Sequence, residues 1–138
     1  MTKILKSRLL ILLPIFIFSI TTYGQKDNKV KILGTWNFVR AEMLQPVDDT
    51  ASIINNMKGM VITFKEGNKF ITHQQKNGKT KLVESGSYSF SEDGSYIIQN
   101  DVKARIVTLD DITFSMEVEE TLIMYFKRVE KPLLTGSD

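Results

Sequence analysis

A chain of 138 residues with 42% hydrophobic side chains is long enough for one domain around a single core, and with no cysteine that core must hold without disulfides. Its 18 basic and 16 acidic side chains give a formal charge of +2, and Lys3, Lys6 and Arg8 at the N-terminus account for all of that excess. The rest of the chain has no basic patch interleaved with aromatics, which argues against a nucleic-acid partner.

The N-terminus reads as a targeting segment. Three basic residues precede an apolar run from Leu9 to Ile20, broken only by Pro14, and Thr22-Tyr23-Gly24 supplies small residues for a cleavage site. The run is shorter than the about 20 residues that span a bilayer, so a retained anchor is the minor alternative. Residues 1–24 are expected to be a signal peptide cut after Gly24, leaving a domain over 25–138 that is periplasmic or secreted, with no stable membrane anchor. The absence of cysteine closes the bacterial lipoprotein route.

After a polar lead from Lys26 to Lys31, Leu33 to Arg40 is the first strand, with Trp36 and Phe38 on one face. Ala41 to Gly59 is a long connection holding one short helix: Asp49 or Thr50 starts it, Ile53, Ile54 and Met57 form its apolar face, and Gly59 ends it. Hairpins come next. Met60 to Phe64 alternates and turns at Glu66-Gly67-Asn68, and Phe70 to Gln75 turns at Asn77-Gly78, the strongest short hairpin signal. Thr80 to Ser91 is one long strand bent at Gly86, and its second half places Tyr88 and Phe90 on one face and serines on the other. Asp93-Gly94 turns into Ser95 to Asn100, and Asn100-Asp101 into Lys103 to Leu109. Asp110-Asp111 leads to Ile112 to Val118, Glu119-Glu120 to Thr121 to Val129, and Pro132 ends the sheet. The expected fold is all-β: eight antiparallel strands in up-and-down order, closed into a barrel with a short helix in the first long loop. Closure leaves no unpaired edge, which suits a small chain without disulfides.

Four features carry a family resemblance: the opening Leu33-Gly34-Thr35-Trp36, the long first connection, the Phe64-x-x-Gly67 hairpin, and Gly86-x-Tyr88-x-Phe90 followed by Asp93-Gly94. The closing Tyr125-Phe126-Lys127-Arg128 adds a fifth. Together they resemble the lipocalin superfamily, and more narrowly the short bacterial lipocalin-like domains that follow a secretion signal. The resemblance implies that Trp36 closes the narrow end of the barrel with Arg128 stacked across its indole. Cation–π attraction and guanidinium bonds to nearby carbonyls favour that pairing on physical grounds. Two departures stand out. Lipocalins proper carry a helix after the barrel, and shorter strands here imply a shallower cup.

Catalysis finds little purchase. His73 is the only histidine, no serine sits in a nucleophile turn, and the paired carboxylates Asp110-Asp111 and Glu119-Glu120 fall in turns without calcium-loop spacing. No enzyme, cofactor or metal site is expected. The apolar set carries more weight: Phe38, Ile62, Phe64, Phe70, Tyr88, Phe90, Phe114, Met116, Met124 and Phe126 recur at period two and share the interior. If the upper layers leave space, these residues with Ile54 and Met57 line a pocket for a small hydrophobic ligand, and Thr72, Tyr88 and Tyr125 supply its polar contacts. The opening then lies away from Trp36, under the Asp49 to Lys58 segment. If they leave none, the protein is a filled barrel acting through its surface, as an inhibitor or envelope scaffold. Cavity volume separates the two readings, with roughly 300 Å³ as the lower bound of typical ligand pockets.

Overall fold

The alternation of apolar and polar residues from Gly34 to Arg128 closes into a single barrel in the computed structural model, which describes residues 25–129. The expected signal peptide and Pro132 lie outside the described residues. In chain order the elements are α1 (25–31), β1 (Gly34–Met43), α2 (Thr50–Met57), β2 (Met60–Lys65), β3 (Lys69–Lys76), β4 (Lys79–Phe90), β5 (Tyr96–Gln99), β6 (Val102–Leu109), β7 (Thr113–Val118) and β8 (Leu122–Arg128). Every strand pairs antiparallel with its neighbours in sequence, and β1 with β8 closes the ring. This is the up-and-down barrel read from the sequence.

One element was not expected. The polar lead forms α1 instead of a structureless approach. It has no apolar face of its own, and tertiary contacts hold it beneath the barrel. The amide of Gln25 donates to Phe90 O (3.2 Å) and that of Asn28 to Gly94 O (2.6 Å), while Ile32, just past the helix, is fully buried.

Three bulges shape the wall. Val39, Val83 and Val107 are the extra residues in β1, β4 and β6, where the register slips by one against the partner strand. Each reverses which residues face inward. In β1, Trp36 and Phe38 point in below the bulge, and Ala41 and Met43 take the half-buried positions above it.

β4 is shared between two neighbours. It pairs with β3 over Lys79–Ser87 but with β5 only over Tyr88–Phe90, so its upper half diverges from the β5–β6 hairpin. Gly86 sits at the fork because the Asn100 side chain occupies the space a Cβ would take.

The interior has two unlike halves. Trp36, Phe64, Phe70, Tyr88, Phe90, Ile97, Phe114 and Phe126 fill the lower half, each no more than 5% exposed. Their rings interlock: Phe64 meets Tyr88 edge-on at 5.0 Å, and Phe114 stacks on Phe126 at 5.6 Å. The upper half holds smaller or more flexible residues, among them Ile62, Thr72, Met116 and Met124.

Candidate functional site

The barrel's closed end is built around Trp36. Its indole lies in the lowest layer, packed against Phe114 at 5.6 Å, and Nε1 donates to Ile32 O at 2.9 Å. Arg128, from the end of β8, stacks over the outer face of that ring with its guanidinium carbon 4.2 Å from the centroid. The same guanidinium donates to three backbone carbonyls: Lys31 O at 2.5 Å, Leu33 O at 2.6 Å and Asp111 O at 2.7 Å. Two of these belong to the end of α1 and the residues after it. A cation therefore caps a helix C-terminus, where the exposed carbonyls and the helix dipole favour positive charge. Gly34 explains why a glycine precedes the tryptophan. Its φ is +122°, and a Cβ there would lie 2.6 Å from a guanidinium nitrogen of Arg128. Trp36 and Arg128 thus act here as a plug.

The opposite end is open. Above the aromatic layers lies a cavity of about 220 Å³, walled by Met60, Ile62, Thr72, Val83, Glu84, Gln99, Val102, Met116, Val118 and Met124. Val83 and Val102 are half exposed, which places the mouth at the divergence of β4 from the β5–β6 hairpin. Of the residues expected in a binding site, Ile62, Thr72, Met116 and Met124 border this space. Phe64, Phe70, Tyr88, Phe90 and Phe114 are buried in the core below it, and Phe38 packs half-buried against the same core.

The helix does not roof the cavity. Met57 packs on the core cluster, and Ile54 faces an open depression with Ala51, Ser52, Asn55 and Lys58. The helix starts where the sequence placed it, with Asp49 at the N-cap and Thr50 as its first residue, but Asp49 has a φ of 66° and its side chain makes no capping bond. The helix is fastened at its other end, where the Gln74 amide donates to Asn56 O (2.6 Å) and Lys58 O (2.9 Å). Tyr125 lies on the outer wall beneath Arg40, its hydroxyl bonded to Glu42 at 3.3 Å, and so does not reach the interior.

Six cavity residues were missed by sequence reasoning: Met60, Val83, Glu84, Gln99, Val102 and Val118. Val118 continues the alternation of Phe114 and Met116 and was open to the same argument. Val83 and Glu84 were hidden by the bulge. Among the described residues, no group of three or more His, Cys, Asp and Glu is placed to hold a metal ion. His73 is half-buried between Val61 and Leu82 in the ladder, on the outward-facing register of β3.

The model of the lipocalin-like domain family matches residues 32–116, from the buried Ile32 into β7. The chain belongs to the lipocalin-like domain family. Its fold is shared by the crystal structure of a lipocalin-like protein from Bacteroides uniformis ATCC 8492, at 15% identity and a TM-score of 0.53, covering 72% of this chain and 99% of that one. An uncharacterized protein from Bacteroides eggerthii DSM 20697 is similar at 9% identity and a TM-score of 0.55, covering 71% of this chain and 99% of the other. At such identities the likeness is one of fold. Among curated proteins, none matches this chain. A lipocalin-like barrel is typically a binding fold more than a catalytic one.

Proposed function

We propose that the protein is an exported binding protein that holds a small apolar molecule, or the apolar end of a longer one, in the upper half of its barrel. The observation that carries this reading is the cavity of about 220 Å³ with three methionines in its wall and a mouth between β4 and the β5–β6 hairpin. Flexible thioether side chains adapt to irregular apolar shapes. The export half of the reading rests on the basic, apolar and small-residue pattern of residues 1–24.

A second reading has its own support. The cavity is smaller than the roughly 300 Å³ of common ligand pockets, and the lower half of the barrel is filled with aromatic rings. Both facts favour a protein that works through its surface. They also set the size of any ligand, excluding a retinoid or sterol enclosed whole.

Thermal denaturation of delipidated protein against a panel of short- and long-chain apolar compounds separates the readings. Ligand at 100 times its Kd stabilises the folded state by about 2.7 kcal/mol, which raises the midpoint of a domain this size by roughly 10 °C or more. A shift of that order with any panel member supports the binding reading. Midpoints that stay fixed across the panel at saturating concentration overturn it in favour of a surface role.

A further inference from the structure

The cavity wall carries a single charged side chain, Glu84, and the fold goes out of its way to aim it inward. Along β4, Leu82 pairs with His73 on the outward-facing register, and strict alternation would send Glu84 outward as well. The extra residue Val83 reverses the parity, so that Glu84 stands opposite Thr72, which is buried and borders the cavity. Re-aiming one side chain is a recurrent use of bulges.

The carboxylate is also held in place. Asn100 donates from Nδ2 to Glu84 Oε2 at 3.0 Å and to Ser85 O at 3.1 Å, while its Oδ1 accepts from Ser87 N at 3.3 Å. Gly86 leaves the room that Asn100 needs. Beside the carboxylate stand two more polar residues of the wall, Thr72, only 5% exposed, and Gln99. Everything else around the cavity is methionine, isoleucine or valine.

We propose that the cavity takes an apolar molecule bearing a protonated amine, with Glu84 as its counter-ion. This deepens, and rests on, the reading of the barrel as a binding protein. Glu84 is exposed at the mouth, with Asn100 its one hydrogen-bond partner among the described residues. A wholly apolar ligand that closed the mouth would strip water from the carboxylate without replacing it, which is costly for a charge. An anionic headgroup at the same level would add like-charge repulsion. An ammonium supplies the missing partner and gains charge-assisted hydrogen bonds to the carboxylate. Specificity of this kind comes as much from what the site repels as from what it attracts. The opposing feature is also on the hairpin. Lys79 and Lys81 lie farther up β4 on the same register as Glu84, paired with Lys76 and Gln74. An anionic headgroup protruding past the mouth would meet those lysines instead.

Titration calorimetry at pH 7 with hexylamine, hexanol and hexanoate, equal in chain length and different in charge, decides between them. Hexylamine is expected to bind about tenfold or more tightly than hexanol, and hexanoate more weakly than either. Glu84→Gln keeps an acceptor for Asn100 and should abolish the preference for hexylamine over hexanol, leaving the thermal midpoint unchanged. Hexanoate binding as well as hexylamine, or hexylamine binding that survives Glu84→Gln, overturns the amine proposal while the binding reading stands. Failure of all three to bind overturns the binding reading itself, and the proposal with it.

Discussion

Removing the Arg128 side chain should loosen the base of the barrel by an amount the geometry sets. Three hydrogen bonds from a charged donor end at Arg128→Ala, at 2.5, 2.6 and 2.7 Å, together with the stack over Trp36. Hydrogen bonds involving a charged group contribute about 1.5–3 kcal/mol each when buried. The side chain here is only half-buried, so about 1 kcal/mol per bond is the fairer figure. The stack adds about 0.5–1 kcal/mol. The expected loss in a urea melt is therefore about 3–4 kcal/mol, a large part of a typical stability of about 5–15 kcal/mol. Arg128→Lys keeps the charge, but one ammonium cannot span three carbonyls, so it should recover less than half. A double-mutant cycle with Trp36→Phe, which keeps a ring in the core, should give a coupling of about 0.5 kcal/mol or more. Amide exchange should speed up first in α1, whose C-terminal carbonyls lose their cap. A loss under about 1 kcal/mol with strictly additive effects would refute the argument that this one guanidinium joins helix, indole and last strand.

Two more outcomes are expected at the turns. Glu119 and Glu120 are the central residues of the Val118–Thr121 turn, closed by Thr121 N donating to Val118 O at 3.0 Å. Their φ of 51° and 55° lies in a region that disfavours side chains with a Cβ, whereas Asn77-Gly78 meets the same need for positive φ between β3 and β4. Replacing the pair by Asn-Gly should raise stability by about 1–2 kcal/mol, read as an upward shift of the thermal midpoint. In the Ser91–Ser95 turn, hydrogen bonds from the Ser95 hydroxyl and backbone N–H, and from the Ser91 hydroxyl, hold the Asp93 carboxyl down to about 2. A carboxylate whose folded pKa is depressed stabilises the fold above its unfolded value near 4, and that contribution fades as pH falls toward 2. Asp93→Asn should therefore flatten the acid limb of the stability curve between those values while lowering stability at neutral pH.

The hairpin grammar of this chain was legible because its turns announce themselves: Asn77-Gly78 and Asp93-Gly94 sit where positive φ is needed, and Tyr88 and Phe90 alternate with serines. The bulges were not legible. Read by strict alternation, β1 stopped at Arg40, yet it runs on to Met43 because Val39 resets the parity. The same effect concealed Val83 and Glu84, the two residues of β4 that shape the cavity mouth. α1 escaped for another reason. Its residues are mostly polar and exposed, and their helical order comes from bonds to Phe90 and Gly94, some 65 residues away, and from Arg128 farther still. Ala104, only 5% exposed, is too small to stand out as core in any pattern of large apolar residues. Local rules reach local structure, and contacts this distant lie beyond them.

The seam between β1 and β8 bears on how the chain reaches this state. Arg128 meets carbonyls 95 and 97 positions earlier, so the base is completed only when the last strand arrives. Until then, β1 and β7 each present a free edge, and the Trp36 pocket has no cover. Pairings this far apart in sequence are slow to form, because loop-closure entropy is lost before the contacts compensate it. A chain stalled or truncated short of Leu122 would expose two sticky edges and an aromatic core together, the condition under which partly folded β-proteins aggregate. The seventh residue of the final strand thus decides whether the first strand has folded to any purpose.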